Sequence, residues 1–518
     1  MRKWIAAGVV AVLFGVVVAG ILLGPTLHSF IRVRTQKVLE THFASSVEFS
    51  DFDVTLFPRL RVTITGLVLR HKGRTDIPPL IQVRTVSMYA QLAELLRPRP
   101  YISFVQLDGL QIHTPPRVPG AEPMIHKTDQ DLAKKYPILI GEVRADDASI
   151  EVLRAQSDRP PREFPIHRLD LHDLSFDRPA KFHALLTNAI PKGEIDATGA
   201  FGPWQAEEPS ATPADGHYVF QNADLGTLKG LRGILSSKGT FSGPLDYLAV
   251  AGYTDTPDFG LRTGGKPVAL HTDFSALVDG TNGDVTLKSV VAKFLHTTLA
   301  VNGKIVDVNK LIKGRTIFLN VTSDNARIED LLRLAVNSDE PLMTGSANLK
   351  TTIDIPEGAD DLLDRMKLIG QFAVAHGQFS SAIVQGKVDT LSRKGQGKPK
   401  DTDISQVASD FRGNFRFAAG VVTFSSLSFA VQGASVHLDG TYNINSTAMD
   451  FHGDLLMQAK LSQTTTGAKS FFLRAADPFF KGKNGGSDVP IKIAGTKDHP
   501  TFGLGKVGGN KKAEASAK

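Results

Sequence analysis

The chain has 518 residues, of which 22% are charged and 42% apolar, with a formal net charge of +6 and no cysteine. This composition excludes a multi-pass membrane protein, a disulfide scaffold and any thiolate or CxxC metal chemistry. Part of the positive excess sits in the tail VGGNKKAEASAK and in RKGQGKPK (Arg393 to Lys400), and aromatic residues are not interleaved with basic ones. Nucleic acid is therefore not an expected partner.

Trp4 to Leu23 reads WIAAGVVAVLFGVVVAGILL, without a charge, after Arg2 and Lys3. A run of that length spans a bilayer as a helix. A cleaved signal peptide is the competing reading. Its apolar core would be shorter, and Gly24-Pro25 follows without a small-x-small site. The expectation is a single-pass anchor, residues 1–28, with the N-terminus inside and the body outside. Arg32, Arg34 and Lys37 beyond the span do not favour that orientation by count, but long domains translocate largely regardless of such charges.

Leu27, Phe30, Ile31 and Val38 continue a helical spacing over Thr26 to Phe43. The period then changes to two. Apolar and polar residues alternate from Val47 to Leu56 and from Leu60 to Ile64, then through Leu67, Leu69, Ile102, Phe104, Leu107, Leu110 and Ile112. Such alternation predicts strands with one buried and one wet face. Val86 to Leu96 reads as a short helix, or a strand and a helix, stopped by Pro98. Residues 113–137, rich in proline and polar side chains, read as a loop.

From about 138 to 380 short strands recur between Gly, Asp, Asn and Pro. Asn282-Gly283 predicts a type I′ hairpin turn. Ala326 to Val336 is a predicted helix, with Ile328, Leu331, Leu332 and Val336 on one face, and Asp360 to Leu368 is a second. Gly386 to Asp403, rich in Gly, Lys and Asp, reads as a flexible loop. A meander follows through Phe415, Phe417, Val422, Phe424, Leu427, Phe429, Val431, Val436, Leu438, Tyr442 and Ile444. Its turns are expected at Ala419-Gly420, Gln432-Gly433 and Asp439-Gly440. Thr466 to Lys481 reads as an amphipathic helix interrupted by Pro478, and Val489 to Ala494 as a last strand.

Two blocks carry a resemblance. The first is VEFSDFDVTLFPRLRVTITGLVLRH, followed by LLRPRPYISFVQLDGLQIHTPP. The second is FRFAAGVVTFSSLSFAVQGASVHLDGTYNI, followed by VPIKIAGTKDHPTF. With the anchor, these resemble the AsmA-like family of bacterial envelope proteins over roughly 1–118 and 405–505. That family is related to TamB, YhdP and the bridge-like lipid transfer proteins. The middle of the chain fits by general β pattern only. The resemblance implies an inner-membrane anchor and a periplasmic body, and an elongated, curled antiparallel β-sheet groove with a few short helices. It implies membrane phospholipid as the cargo, no cofactor and no catalytic residues. The divisions expected on this basis are 1–28 (anchor), 29–118, 119–385 (middle meander), 386–404 (loop), 405–505 and 506–518 (tail).

Period-two spacing predicts that Phe415, Phe417, Phe424, Phe429 and Leu438 line one apolar face, which the resemblance implies is the lipid groove. A sheet with one apolar face must cover it or leave a trough, and ordinary β-sandwich cores remain the plainer reading. Phe471, Phe472, Phe479 and Phe480 are the expected membrane or partner contact, or else a helix plugging the groove. An envelope protein partner would dock at the C-terminal end. The alternative function is a structural or interaction protein assisting outer-membrane protein assembly without lipid transfer.

Local chemical motifs are weak. GLRTGGK (Gly260 to Lys266) matches GxxxxGK, but Pro267 stands where a phosphate loop needs Ser or Thr. DGTNGD (Asp279 to Asp284) lacks the ligand series and closing Glu of a calcium loop, so a turn is expected. His167 and His172 lie five apart in strand-like sequence, and no HExxH or G-x-S-x-G occurs. An enzyme is not the expectation.

Overall fold

The structure, a computed structural model, describes residues 45–505 except 56–58, 72, 74, 77, 96–97, 115–138, 153–161, 176–177, 206–207, 263, 309–313, 467, 483–484 and 497–498, together with 32–33, 35–37 and 39–40. The expected anchor, most of the proline-rich loop and the tail lie outside the described residues. No helix among those described is long and apolar enough to cross a membrane. The chain is mainly β and divides into two compact units. Unit 1 comprises Met1–Ala223, Ser237–Gly252 and Leu277–Gly283; unit 2 comprises Asp224–Ser236, Tyr253–Ala276 and Asp284–Lys518.

Unit 1 opens with β1 (Ser45–Glu48) and β2 (Asp51–Thr55), which pair end to end along β3 (Leu60–His71). β3 pairs with β4 (Ile81–Ala90), where a one-turn helix, Leu92–Leu95, completes the strand-then-helix reading of Val86 to Leu96. β5 (Tyr101–Asp108) and β6 (Gln111–Thr114) both flank β4, and both then pair in parallel with β7 (Leu139–Val152). The ladder continues antiparallel through β8 (Arg162–Ser175), β9 (Ala180–Ala189) and β10 (Lys192–Phe201). The expectation of a purely antiparallel sheet is thus corrected: this sheet is mixed. The long connection between β6 and β7 is what permits it, since parallel neighbours require a crossover rather than a tight turn. Val62, Ile64, Leu69, Val83, Val105, Ala145 and Ile166 form a buried core.

The middle strands are β11 (Pro213–Asp224), β12 (Leu231–Arg232), β13 (Ile234–Pro244), β14 (Leu248–Leu261) and β15 (Val268–Val278). At Asn282-Gly283 the type I′ expectation is corrected. Only Gly283 has positive φ, and its N–H donates to Asp279 C=O across a wider turn. Asp279 holds that turn, accepting from Thr281 N (2.9 Å) and Asn282 Nδ2 (2.8 Å).

Unit 2 is dominated by a run in which each strand pairs antiparallel with the next. The run is β16 (Val285–Phe294), β17 (Thr297–Val306), β18 (Thr316–Arg327), β19 (Met343–Ile355), β20 (Lys367–Phe379), β21 (Ser409–Ala418), β22 (Val421–Val431), β23 (Ala434–Asn443), β24 (Ala448–Met457), β25 (Ser487–Thr496) and β26 (Pro500–Leu504). Bulges interrupt the register within β20 (between Val374 and Gly377) and within β22 (between Phe424 and Leu427), the latter against both β21 and β23. A bulge inserts one residue and resets the alternation.

Within unit 2 the helices longer than a turn or so, among the described residues, are α1 (Ile328–Ala335), α2 (Ala382–Gly395) and α3 (Ala468–Leu473). α1 occupies the predicted segment. α2 overturns the flexible-loop reading over 386–395, while 396–404 is irregular as expected. Ser381 Oγ caps its start by accepting the Val384 N–H, Val388 is buried, and Arg393 and Lys394 complement the dipole at its end. Asp439-Gly440 is corrected as well: it lies inside β23 and is not a turn. The Thr466 to Lys481 helix is also shorter than expected, ending at Leu473 before a 3-10 turn at Asp477–Phe480.

Candidate functional site

Directly opposed residues of an antiparallel pair share a face. The register therefore sorts unit 2 into two chemically distinct faces. One row runs across neighbouring strands as Ile353, Leu368, Phe417, Val422, Tyr442 and Met449. The next runs as Phe415, Phe424, Gly440, Phe451, Ile493 and Phe502. A third runs as Val374, Phe411, Phe429, Val436, Leu455 and Val489. On the reverse face a row reads Ile369, Arg416, Thr423, Thr441, Asp450 and Ala494.

Phe415, Phe417, Phe424, Phe429 and Leu438 all lie on the apolar face. Leu438 opposes Leu427, which the bulge in β22 returns to the side of Phe424. Ring contacts knit the face: Phe411–Phe429 at 4.7 Å, Phe424–Phe451 at 6.0 Å and Phe372–Phe415 at 6.2 Å between centroids. Gly440 stands between Phe424 and Phe451, and a Cβ there would meet Phe451 Cδ1 at 2.6 Å. Phe417 is buried, whereas Phe415, Phe424, Phe429 and Leu438 are half-buried.

Helical segments close one end of this face. Ile328 and Leu331 of α1 pack on Ala326, Ala347 and Val374. Leu391 of α2, with Leu461 and Phe480, packs on Ala434, Met457 and Val489. α2 is fixed by side chains the sequence did not single out. Asp389, 7% exposed, accepts from Gln406 N (3.0 Å) and Val407 N (2.9 Å), and Ser392 Oγ donates to Gln432 C=O (2.7 Å). Beside α2 lies a cavity of about 500 Å³. Its lining includes Phe379, Val388, Leu391, Phe411, Leu427, Phe429, Val436, Leu438, Leu455, Ile491 and Phe502. Cavities of that size and apolarity suit small-molecule or acyl ligands. The signal for α2 was present in Val384, Val388 and Leu391, but glycine and lysine content outweighed it.

The expected contact phenylalanines separate. Phe480 packs into the core beneath α2, while Phe479 is 81% exposed. The side chains of Phe471 and Phe472 lie outside the described residues. Asp477, which opens their turn, accepts from Ser462 N and Oγ (2.8 and 2.7 Å). Burial would raise its pKa, but these bonds and the charges of Lys460 and Arg474 outweigh burial and lower it.

The polar motifs serve structure. In GLRTGGK, the Gly265 and Lys266 N–H groups donate to Leu334 and Arg333 C=O at the end of α1 (3.0 and 2.8 Å). A Cβ on Gly265 would collide with the Arg333 carbonyl, so glycine permits this close approach. His167 bonds Thr187. On exposed strands His271 bridges Asp255 (2.6 Å) and Asp273 (3.3 Å), and Lys293 bonds Asp273 (3.2 Å). The Asp255 bond chiefly raises the His271 pKa. In unit 1 the Asp170 carboxylate, 4% exposed, takes Arg144 Nε at 3.0 Å and Arg168 Nε at 2.6 Å. Among the described residues no three His, Asp or Glu side chains are placed to hold a metal ion.

No protein-family model, curated protein or solved structure matches the chain.

Proposed function

We propose that this chain is an AsmA-like envelope protein, anchored in the inner membrane by Trp4 to Leu23, whose β body lies in the periplasm and whose apolar sheet face binds or transfers phospholipid. The observation that carries this reading is the in-register apolar face of β18 to β26. Helical segments pack on one end of it, and Phe415, Phe424 and Leu438 remain half-exposed. Burying apolar area stabilises a protein by about 25 cal/mol per Å². A strip of phenylalanine and leucine left in water forfeits that gain, and acyl chains restore it. The half-open cavity beside α2 adds an apolar recess of the same composition as the strip.

A second reading draws support from the ring contacts among Phe372, Phe411, Phe415, Phe424, Phe429 and Phe451, which partly fill the face with its own side chains. On that reading the protein is a structural partner in outer-membrane protein assembly. Mass spectrometry of the chain purified in a lipid-free detergent decides between them. The lipid reading expects co-purified phospholipid that delipidation removes and added phospholipid restores. A chain that carries no phospholipid and takes up none would overturn it.

A further inference from the structure

The segment from Lys460 to Gly482 carries Phe479 outward on a tight turn. At 81% exposure it is the most exposed large apolar side chain among the described residues. The next residue, Phe480, packs inward on the cluster of Ala434, Met457 and Val489, so the turn is held to the sheet. Asp477 N-terminal to it is bonded to Ser462, which fixes the turn from the other side. Lys460, Lys469, Arg474 and Lys481 are all exposed on the same segment, and Asp477 is its one acidic residue. The result is an outward aromatic ring on a segment anchored to the sheet, whose exposed charged side chains are all cationic.

We propose that Phe479 and these four cations form a contact for the surface of an anionic lipid bilayer. An aromatic side chain enters the headgroup boundary while lysine and arginine stay at the charged surface. Each such cation strengthens association with an anionic leaflet about fivefold. A protein partner fits less well. Hot-spot aromatic residues at protein interfaces sit among neighbours that together exclude water, and Phe479 is flanked by exposed Pro478 and Lys481 and by the inward-packed Phe480. The inference is independent of acyl-chain binding on the sheet face.

The test uses the full chain with Phe479→Trp in a Trp4→Phe background, carried in phosphatidylcholine nanodiscs. Separate vesicles supply brominated lipid, either phosphatidylcholine alone or mixed with phosphatidylglycerol. Quenching of the introduced indole by the anionic vesicles is expected, with little from the neutral ones and none added in the Trp4→Phe parent, which retains Trp204. Lys469→Glu combined with Lys481→Glu should weaken the effect at least tenfold in vesicle concentration. An unchanged thermal midpoint shows that the variants fold. Absent quenching, equal quenching by both vesicle types, or shielding of the introduced indole by a co-purified protein each overturns the proposal. Phospholipid found or missing in the purified chain bears on the sheet face and leaves this result standing.

Discussion

Asp439 of β23 accepts the backbone N–H of Ser426, the bulged residue of β22, at 2.8 Å. Ser426 has φ +58°, a left-handed conformation that an L side chain rarely adopts without support. The same device recurs two strand pairs earlier, where Asp410 of β21 accepts from His376 N in the bulge of β20 at 3.1 Å, with φ +56° at His376. Carboxylates on the polar face thus hold the irregularities that keep the other face apolar.

Asp439→Ala removes that acceptor. The expected loss is about 1 kcal/mol, the usual net worth of such a bond. Urea unfolding checks it, and Asp439→Asn, which keeps an acceptor oxygen, should recover most of the loss.

Asp389→Ala leaves the Gln406 and Val407 N–H groups without their acceptor and loosens α2. A cost of about 3 kcal/mol is expected for two unmet donors in a partly buried setting. Hydrogen exchange should quicken over 382–407 while β16 to β19 keep their protection. Uniform exchange throughout would show that α2 is not separately fixed.

Phe424→Asp places a carboxylate beside Phe372 and Phe451. Stability should fall by at least about 2 kcal/mol, from lost packing and charge desolvation. Retained phospholipid per chain should fall with it. Thr423→Asp, on the reverse face, should change neither quantity by much, and equal effects at both positions would refute the assignment of faces.

Burial alone would raise the Asp170 pKa, but the hydrogen bonds and charges of Arg168 and Arg144 prevail and lower it. A folded value held below the unfolded one contributes stability that is complete above about pH 4 and is lost as pH falls through the folded value. Asp170→Asn should be less stable at neutral pH and show a shallower decline below about pH 4. Denaturant midpoints across pH 2.5 to 7, roughly the range that brackets this titration, measure both.

Replacing residues 1–24 by a cleavable export signal should release a folded body into the soluble periplasmic fraction, judged by fractionation and circular dichroism. A body that still requires detergent would reveal a second membrane-inserting element.

Period-two alternation makes the faces of β3, β21 and β22 legible in the sequence, because one residue type per face is a local property. What misled was glycine. Asp439-Gly440 resembles a turn dipeptide, yet Gly440 sits mid-strand to let the Phe451 ring lie across it. Gly386 and Gly395 disguised α2, whose stability comes from Asp389, Ser392 and the contacts of Leu391 with distant strands. The parallel pairing of β5 and β6 with β7 was not legible at all, since partner choice depends on a crossover and not on side-chain period.

The bulges also decide where the chain can change length. Phe424 and Leu427 face the same side with Ser425 and Ser426 between them. Loss of Ser426 alone would leave a regular strand, with both phenylalanine-bearing halves of β22 still in phase. Loss of Thr423, a few residues away, would turn one half inside out, because a single step in a strand exchanges its faces. A lineage shortening this strand would find the frame-preserving deletion at the bulge, with Asp439 released from its present role.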